Sequence, residues 1–257
     1  MEITSRENPR VKQACALRDS EKQRAAAGLF FAEGPKLVLE LAHGCALHTL
    51  FATEEALART PALAAFADRT FRISAPVAEK LAGTRTPQGA FALFETPSAD
   101  PAPLLASARR VLMLEAVQDP GNVGTLLRSA AAFGFDAVLL GPGCAAPFSP
   151  KVLRASMGAA GRLPLGVCRD LEGAIGELRA RGVCCLAAAL YRARPLDEAG
   201  RCFPGGVCVV IGSEGQGLRR ETVAACDAAV RIPMTDRVES LNAGVAGSIL
   251  LWHFRGV

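Results

Sequence analysis

Five short apolar runs in the second half of the chain limit its fold more than any other feature. They span residues 111–114, 137–140, 183–188, 207–211 and 230–232. The first four do not alternate apolar with polar side chains, so each would be covered on both faces, as strands of a parallel sheet are; Val230-Arg231-Ile232 reads as a further short strand. Helical patterns at 123–133, 151–158 and 171–181 lie between them, with a further extended piece at 163–165 and a last helix at 242–254. Strand and helix in turn, with short joins, predict an α/β domain with a mostly parallel sheet.

The first 95 residues read as a smaller α/β unit. Asn8-Pro9 opens a helix, with Asn as cap and Pro in the first turn. Short strands are expected at 29–32, 49–52, 71–73 and 90–94. Between the halves, three prolines fall within residues 97–103, which predicts a stiff extended linker. The expected division is an α/β domain over 1–95, a linker over 96–107 and a second domain over 108–257.

Composition narrows the function classes. Half of the 257 residues are hydrophobic, yet no apolar stretch is long enough for a transmembrane helix, and the polar N-terminus lacks the apolar run of a signal peptide. A cytoplasmic location is therefore expected. The nine cysteines form no C-x-x-C pair, and with three histidines they predict buried thiols and no metal site. The formal net charge of +4 permits a nucleic-acid partner without requiring one. Basic residues crowd the N-terminus, where a solvated helix face and a phosphate-binding face are both open readings.

Three turns carry the chemistry. In Ile211-Gly-Ser-Glu-Gly-Gln-Gly217 a buried strand runs into glycines, where backbone can approach a ligand. The spacing is not that of a dinucleotide loop, no Lys-Ser/Thr pair follows, and Glu214 would repel phosphate. A nucleotide-binding oxidoreductase is thus disfavoured, and a plain strand-to-helix connection stays open. In Asn122-Val-Gly-Thr-Leu-Leu-Arg128, Asn122 is expected to cap a helix and Arg128 to face a polar cleft or a structural ion pair. In Ile232-Pro-Met-Thr-Asp-Arg-Val-Glu-Ser-Leu-Asn242, Ser240 or Asn242 is expected to cap the last helix. Its small residues suit either tight packing or a fold-back over a pocket.

In this order, these segments resemble the three motifs of the SpoU (TrmH) family of RNA ribose methyltransferases, within the SPOUT superfamily. The resemblance covers residues 108–257. The first domain is similar to the substrate-binding domain of many members, through Ser5-Arg-Glu-Asn8-Pro-Arg-Val-Lys12 and Phe30-Phe-Ala-Glu33-Gly34. The resemblance implies a deep trefoil knot, a homodimer, S-adenosylmethionine as donor with no metal, and an RNA 2′-hydroxyl as acceptor. It implies donor contacts around Ala188, Ala189, Leu190, Gly212, Ser213, Glu214, Gly217, Ile232, Met234, Ser240 and Leu241. Catalysis falls to Arg128, Asn122, Glu214, Ser240 and Asn242, with Glu214 holding either Arg128 or a substrate hydroxyl. Candidate RNA contacts are Arg6, Arg10, Lys12, Lys36 and Arg154. Small departures, Gly161, Asp236 and Ala243, are expected to alter packing or substrate fit. The separate first domain favours ribosomal RNA, with tRNA or a non-catalytic role in ribosome assembly as alternatives.

Overall fold

A computed structural model describes residues 2–200 and 203–255. Two compact units emerge, one of residues 1–97 with 146–162, the other of residues 98–145 with 163–257.

The first unit begins with strand β1 (Glu2–Ile3), helices α1 (Pro9–Asp19) and α2 (Glu21–Ala27), and strand β2 (Leu29–Glu33). It continues through α3 (Pro35–Leu41), β3 (Leu47–Ala52), α4 (Glu54–Arg59), β4 (Thr70–Ile73), α5 (Ala75–Leu81) and β5 (Ala90–Glu95). The expected cap is present: the Asn8 side chain accepts from Arg10 N, with Pro9 at the first helical position. The sheet is mixed, in the order β1-β4-β3-β5-β2. Its core is rich in phenylalanine, with Phe31, Phe51 and Phe91 buried on α1 and α5 side chains.

The second unit starts with α6 (Ala102–Ser107), β6 (Arg110–Leu114), α7 (Pro120–Ala132) and β7 (Ala137–Leu140). Helix α8 (Pro150–Ser156) and a 3-10 turn (Ala159–Gly161) follow, and both belong to the first unit. There Phe148 stacks on Phe30 at 4.8 Å between ring centroids, and Arg162 pairs with Glu40 at 2.6 Å. The chain then adds β8 (Leu165–Val167), α9 (Leu171–Ala180), β9 (Cys184–Ala188), β10 (Arg194–Pro195), β11 (Val207–Ile211), α10 (Arg220–Ala225), β12 (Ala228–Arg231) and α11 (Ala243–His253). All pairings are parallel, in the order β10-β12-β9-β11-β6-β7-β8.

Three local readings change. The 96–107 segment is not extended throughout, because Ala102–Ser107 is helical with a proline in its first turn. A proline there costs nothing, since its missing N–H would have had no helical partner. Residues 146–162 pack in the first unit, so the division is not a single cut near residue 96. The cap of α7 is Asp119, whose side chain accepts from Asn122 N; Asn122 sits inside the first turn. That releases its side chain for another partner.

Candidate active site

Parallel strands place the turns after them at one edge of a sheet, where ligands of α/β folds collect. In the second unit the turns after β9, β11 and β12 surround a cavity of about 1090 Å³. Ala188, Ala189 and Leu190 form one wall and Gly212, Ser213, Glu214 and Gly217 a second. Ile232, Met234, Ser240 and Leu241 form the third, so every position expected to meet a donor lines this one space.

The glycine turn is closed on itself. Ser213 N donates to Gly217 O at 3.2 Å and Gly217 N donates back to Ser213 O at 3.0 Å. A side chain at Gly212 has no room, because its Cβ would lie 2.3 Å from Gly217 C. Gly217 takes φ +67°, which favours glycine. A Cβ on Gly215 or Gly217 would meet nothing within 4 Å, so backbone of the turn is open to an occupant.

At the edge of the cavity three motif residues converge. Asn122, only 8% exposed, donates from Nδ2 to Glu214 Oε1 at 2.5 Å. Asn242 caps α11, its Oδ1 accepting from Val245 N at 3.2 Å. Gly244 lies against both amides: a Cβ there would be 3.0 Å from Asn122 Oδ1 and 3.1 Å from Asn242 Oδ1. Helix α11 packs closely on α7, with Ser129 and Ser248 hydroxyls 2.7 Å apart. Ser240 is exposed at the cavity wall.

Arg128 stands apart from this cluster. It is exposed on α7 and has no hydrogen-bond or ion-pair partner among the described residues. Glu214 is committed to Asn122 and not to Arg128, and the structural ion pair also considered for Arg128 is not formed among the described residues.

The five basic candidates all lie in the first unit and differ in availability. Arg6 pairs with Glu79 at 2.7 Å, Lys12 with Glu7 at 2.6 Å, and Arg10 lies over the Phe71 ring at 4.6 Å. Lys36 on α3 and Arg154 on α8 are exposed without such partners. The cysteines among the described residues are free thiols, and Cys185, Cys208 and Cys226 sit in the core of the second unit. Burial pushes the Cys226 thiol up to about 12.

Two features of the site were not anticipated. Tyr191, 64% exposed, lines the cavity with Arg192, whose guanidinium lies 5.3 Å from the Tyr191 ring centre. The only sequence signal was an isolated tyrosine beside an expected loop. Glu115, next to β6, is 4% exposed and bonds to Arg219 and Thr222. A carboxylate directly after a buried strand was its only trace.

A seven-stranded parallel sheet whose strand-end turns surround one cavity defines an α/β protein with its ligand site at the sheet edge. The family model described as SpoU rRNA Methylase family matches residues 109–252, and that described as MRM3-like substrate binding domain matches residues 8–92. The chain belongs to the SpoU family of RNA methylases. It is 34% identical over 257 residues, 99% of each chain, to the 23S rRNA (guanosine(2553)-2'-O)-methyltransferase RlmP of Bacillus subtilis. An AdoMet-bound rRNA methyltransferase from Sinorhizobium meliloti superposes with a TM-score of 0.87 at 29% identity, covering 99% of this chain and 97% of that one. The crystal structure of an RNA 2'-O ribose methyltransferase gives a TM-score of 0.80 at 28% identity, covering 99% of this chain and 98% of that one.

Proposed function

We propose that this chain methylates a ribose 2′-hydroxyl of ribosomal RNA, with S-adenosylmethionine as donor. The observation that carries the reading is the single cavity lined by two of the three motif turns, with Asn122 of the third hydrogen-bonded to Glu214 in its wall, in a chain similar over its whole length to a 23S rRNA methyltransferase. The cavity suits that donor: apolar Leu190, Ile232 and Leu241 and open glycine backbone line it, with the Glu214 carboxylate where a cation is favoured.

Bound there, S-adenosylmethionine supplies a methyl group already activated by its sulfonium. What remains for the protein is to align a weakly acidic hydroxyl with it, which is chiefly a matter of positioning. Arg128 takes the acceptor side. Its planar fork of N–H donors orients the hydroxyl and the adjacent phosphate and steadies the oxygen as negative charge develops. Asn122 fixes Glu214 at the cavity edge, and Asn242 sets the start of α11 beside it. Ser240, with a free hydroxyl on the wall, contributes a hydrogen bond to donor or substrate.

The first unit brings the RNA, with Lys36 and Arg154 as the principal phosphate contacts, supported by the match to a substrate-binding domain. A homodimer through the second unit is supported by α11, where Val245 is 48% and Trp252 47% exposed on the stripe that also holds Ile249. A trefoil knot is supported by the strand order: β9 and β11 separate β12 from β6, yet α11 returns past them to pack on α7. A cytoplasmic site of action accords with a ribosomal substrate; among the described residues no helix is long and apolar enough to cross a membrane.

The test incubates the protein with labelled S-adenosylmethionine and RNA from a strain lacking the gene, then locates the label by nucleoside and fragment mass. Label on one ribose of ribosomal RNA is expected. Label on tRNA would overturn the substrate, and label on a base would overturn the reaction.

A further inference from the structure

Both ends of the glycine turn meet one residue that does not line the cavity. Glu115 N donates to Ile211 O at 2.9 Å, at the last position of β11 before the turn. Its carboxylate accepts from Arg219 N at 2.9 Å, at the first position after residues 212–218. Arg219 Nε adds a bond at 2.5 Å to Glu115 Oε1, and Thr222 Oγ1 lies 2.8 Å from the same oxygen. The latch is braced from outside, since Arg219 Nη2 reaches Glu172 Oε1 on α9 at 2.8 Å. A buried carboxylate with this many donors is fully satisfied, so nothing about it calls for a ligand.

We propose that Glu115 is a positioning residue for the methyl donor: it clips the two ends of the 212–218 turn together and so presets the wall that carries Glu214. The inference rests on the donor reading of the cavity. Three of these seven residues are glycine, which differs little in cost between many conformations. The Ser213–Gly217 bonds close the tip but do not place it, so a turn held at one end only would leave its placement to the donor, and that ordering is subtracted from affinity. Holding both ends from a single residue, one by its backbone N–H and the other by its carboxylate, removes the cost beforehand.

Glu115→Gln is the test, because the amide keeps the shape and replaces one acceptor oxygen by a donor. Arg219 N–H or its guanidinium then faces an N–H group, and one end of the turn is released. Hydrogen exchange followed by mass spectrometry should show peptides over 212–218 exchanging faster, with β6 and β7 peptides unchanged. Calorimetric titration with S-adenosylmethionine should show Kd raised on the order of tenfold, the scale of one hydrogen bond to a charged group. The KM for RNA should stay at the wild-type value. Glu115→Asp keeps the buried charge but is one methylene short, so it should give the same pattern in a protein whose fold is preserved. Leu178→Ala, in the core of the same unit, supplies matched destabilisation without touching the turn. Wild-type exchange across 212–218 in a folded Glu115→Gln or Glu115→Asp protein overturns the proposal. An equal rise in Kd for Leu178→Ala does so too, since it reduces the effect to general loss of stability. If the wild-type protein binds no S-adenosylmethionine, the functional reading fails, while the exchange measurement still decides the latch.

Discussion

Gly212→Ala puts a methyl group where the fold has backbone. The added Cβ would lie 2.3 Å from Gly217 C, 2.4 Å from Gly217 O and 2.4 Å from Leu218 N. Carbon atoms in good contact stand about 3.5–4.0 Å apart, so the turn must open by roughly 1 Å. None of the three atoms belongs to a side chain that could rotate away. Opening breaks the paired bonds between Ser213 and Gly217, each worth about 0.5–1.5 kcal/mol net. Together they give about 1–3 kcal/mol, the same range as overpacking in a tight core. If the cost falls on donor binding, Kd for S-adenosylmethionine rises about 5- to 150-fold, since about 1.4 kcal/mol is tenfold. If it falls on folding, the thermal midpoint drops by about 2–12 °C. Calorimetric titration and a thermal melt of one preparation measure both. A variant with wild-type Kd and wild-type midpoint would refute the closed turn and the steric argument together.

Arg128→Lys keeps the charge but loses the planar fork, and kcat should fall about 100-fold or more with donor Kd unchanged; single-turnover methylation checks it, and an unaltered kcat would remove Arg128 from the reaction. The double variant Lys36→Ala, Arg154→Ala should lower the slope of log affinity against log salt by about 1.4–1.8 if each side chain holds one phosphate, whereas Arg6→Ala, already paired with Glu79, should change it less. Filter binding at several salt concentrations separates them. For Cys226 the sign follows from burial: its folded pKa, pushed up to about 12 from 9.0, favours the protonated folded form. Its contribution is complete below pH 9 and is lost as pH rises toward 12, so urea midpoints should fall over that window and fall less in Cys226→Ala. An identical alkaline slope in the variant would contradict the assignment.

How much of this was legible beforehand depended on the range of the interaction involved. The strands at 207–211 and 137–140 were plain because a doubly covered strand must be apolar at each position. The turns of the cavity were plain because glycine and proline mark them locally. The linker reading failed on a local ambiguity, since prolines that stiffen an extended segment also suit a helix's first turn, as at Ala102–Ser107. The cap of α7 was misplaced by three residues for a similar reason: Asp119 and Asn122 are equally good caps, and only the bond from Asn122 to Glu214 shows that its side chain is spent elsewhere. The Glu115 latch was hidden by distance, because its partners Arg219 and Thr222 lie more than a hundred positions along the chain. Nothing local marks a carboxylate for so remote a pairing. The same holds for Phe148 on Phe30, which assigns α8 to the first unit.

That last pairing sets an order on synthesis. On the ribosome, residues 1–97 emerge well before the 146–162 segment that completes their unit. Until then the Phe30 ring lacks its stacking partner Phe148, and Glu40 lacks Arg162. The nascent first unit must therefore wait, with an apolar face uncovered, while β6, α7 and β7 are made. A fragment ending near residue 97 would inherit the same bare face permanently, so this unit cannot be lent to another protein by a simple N-terminal fusion.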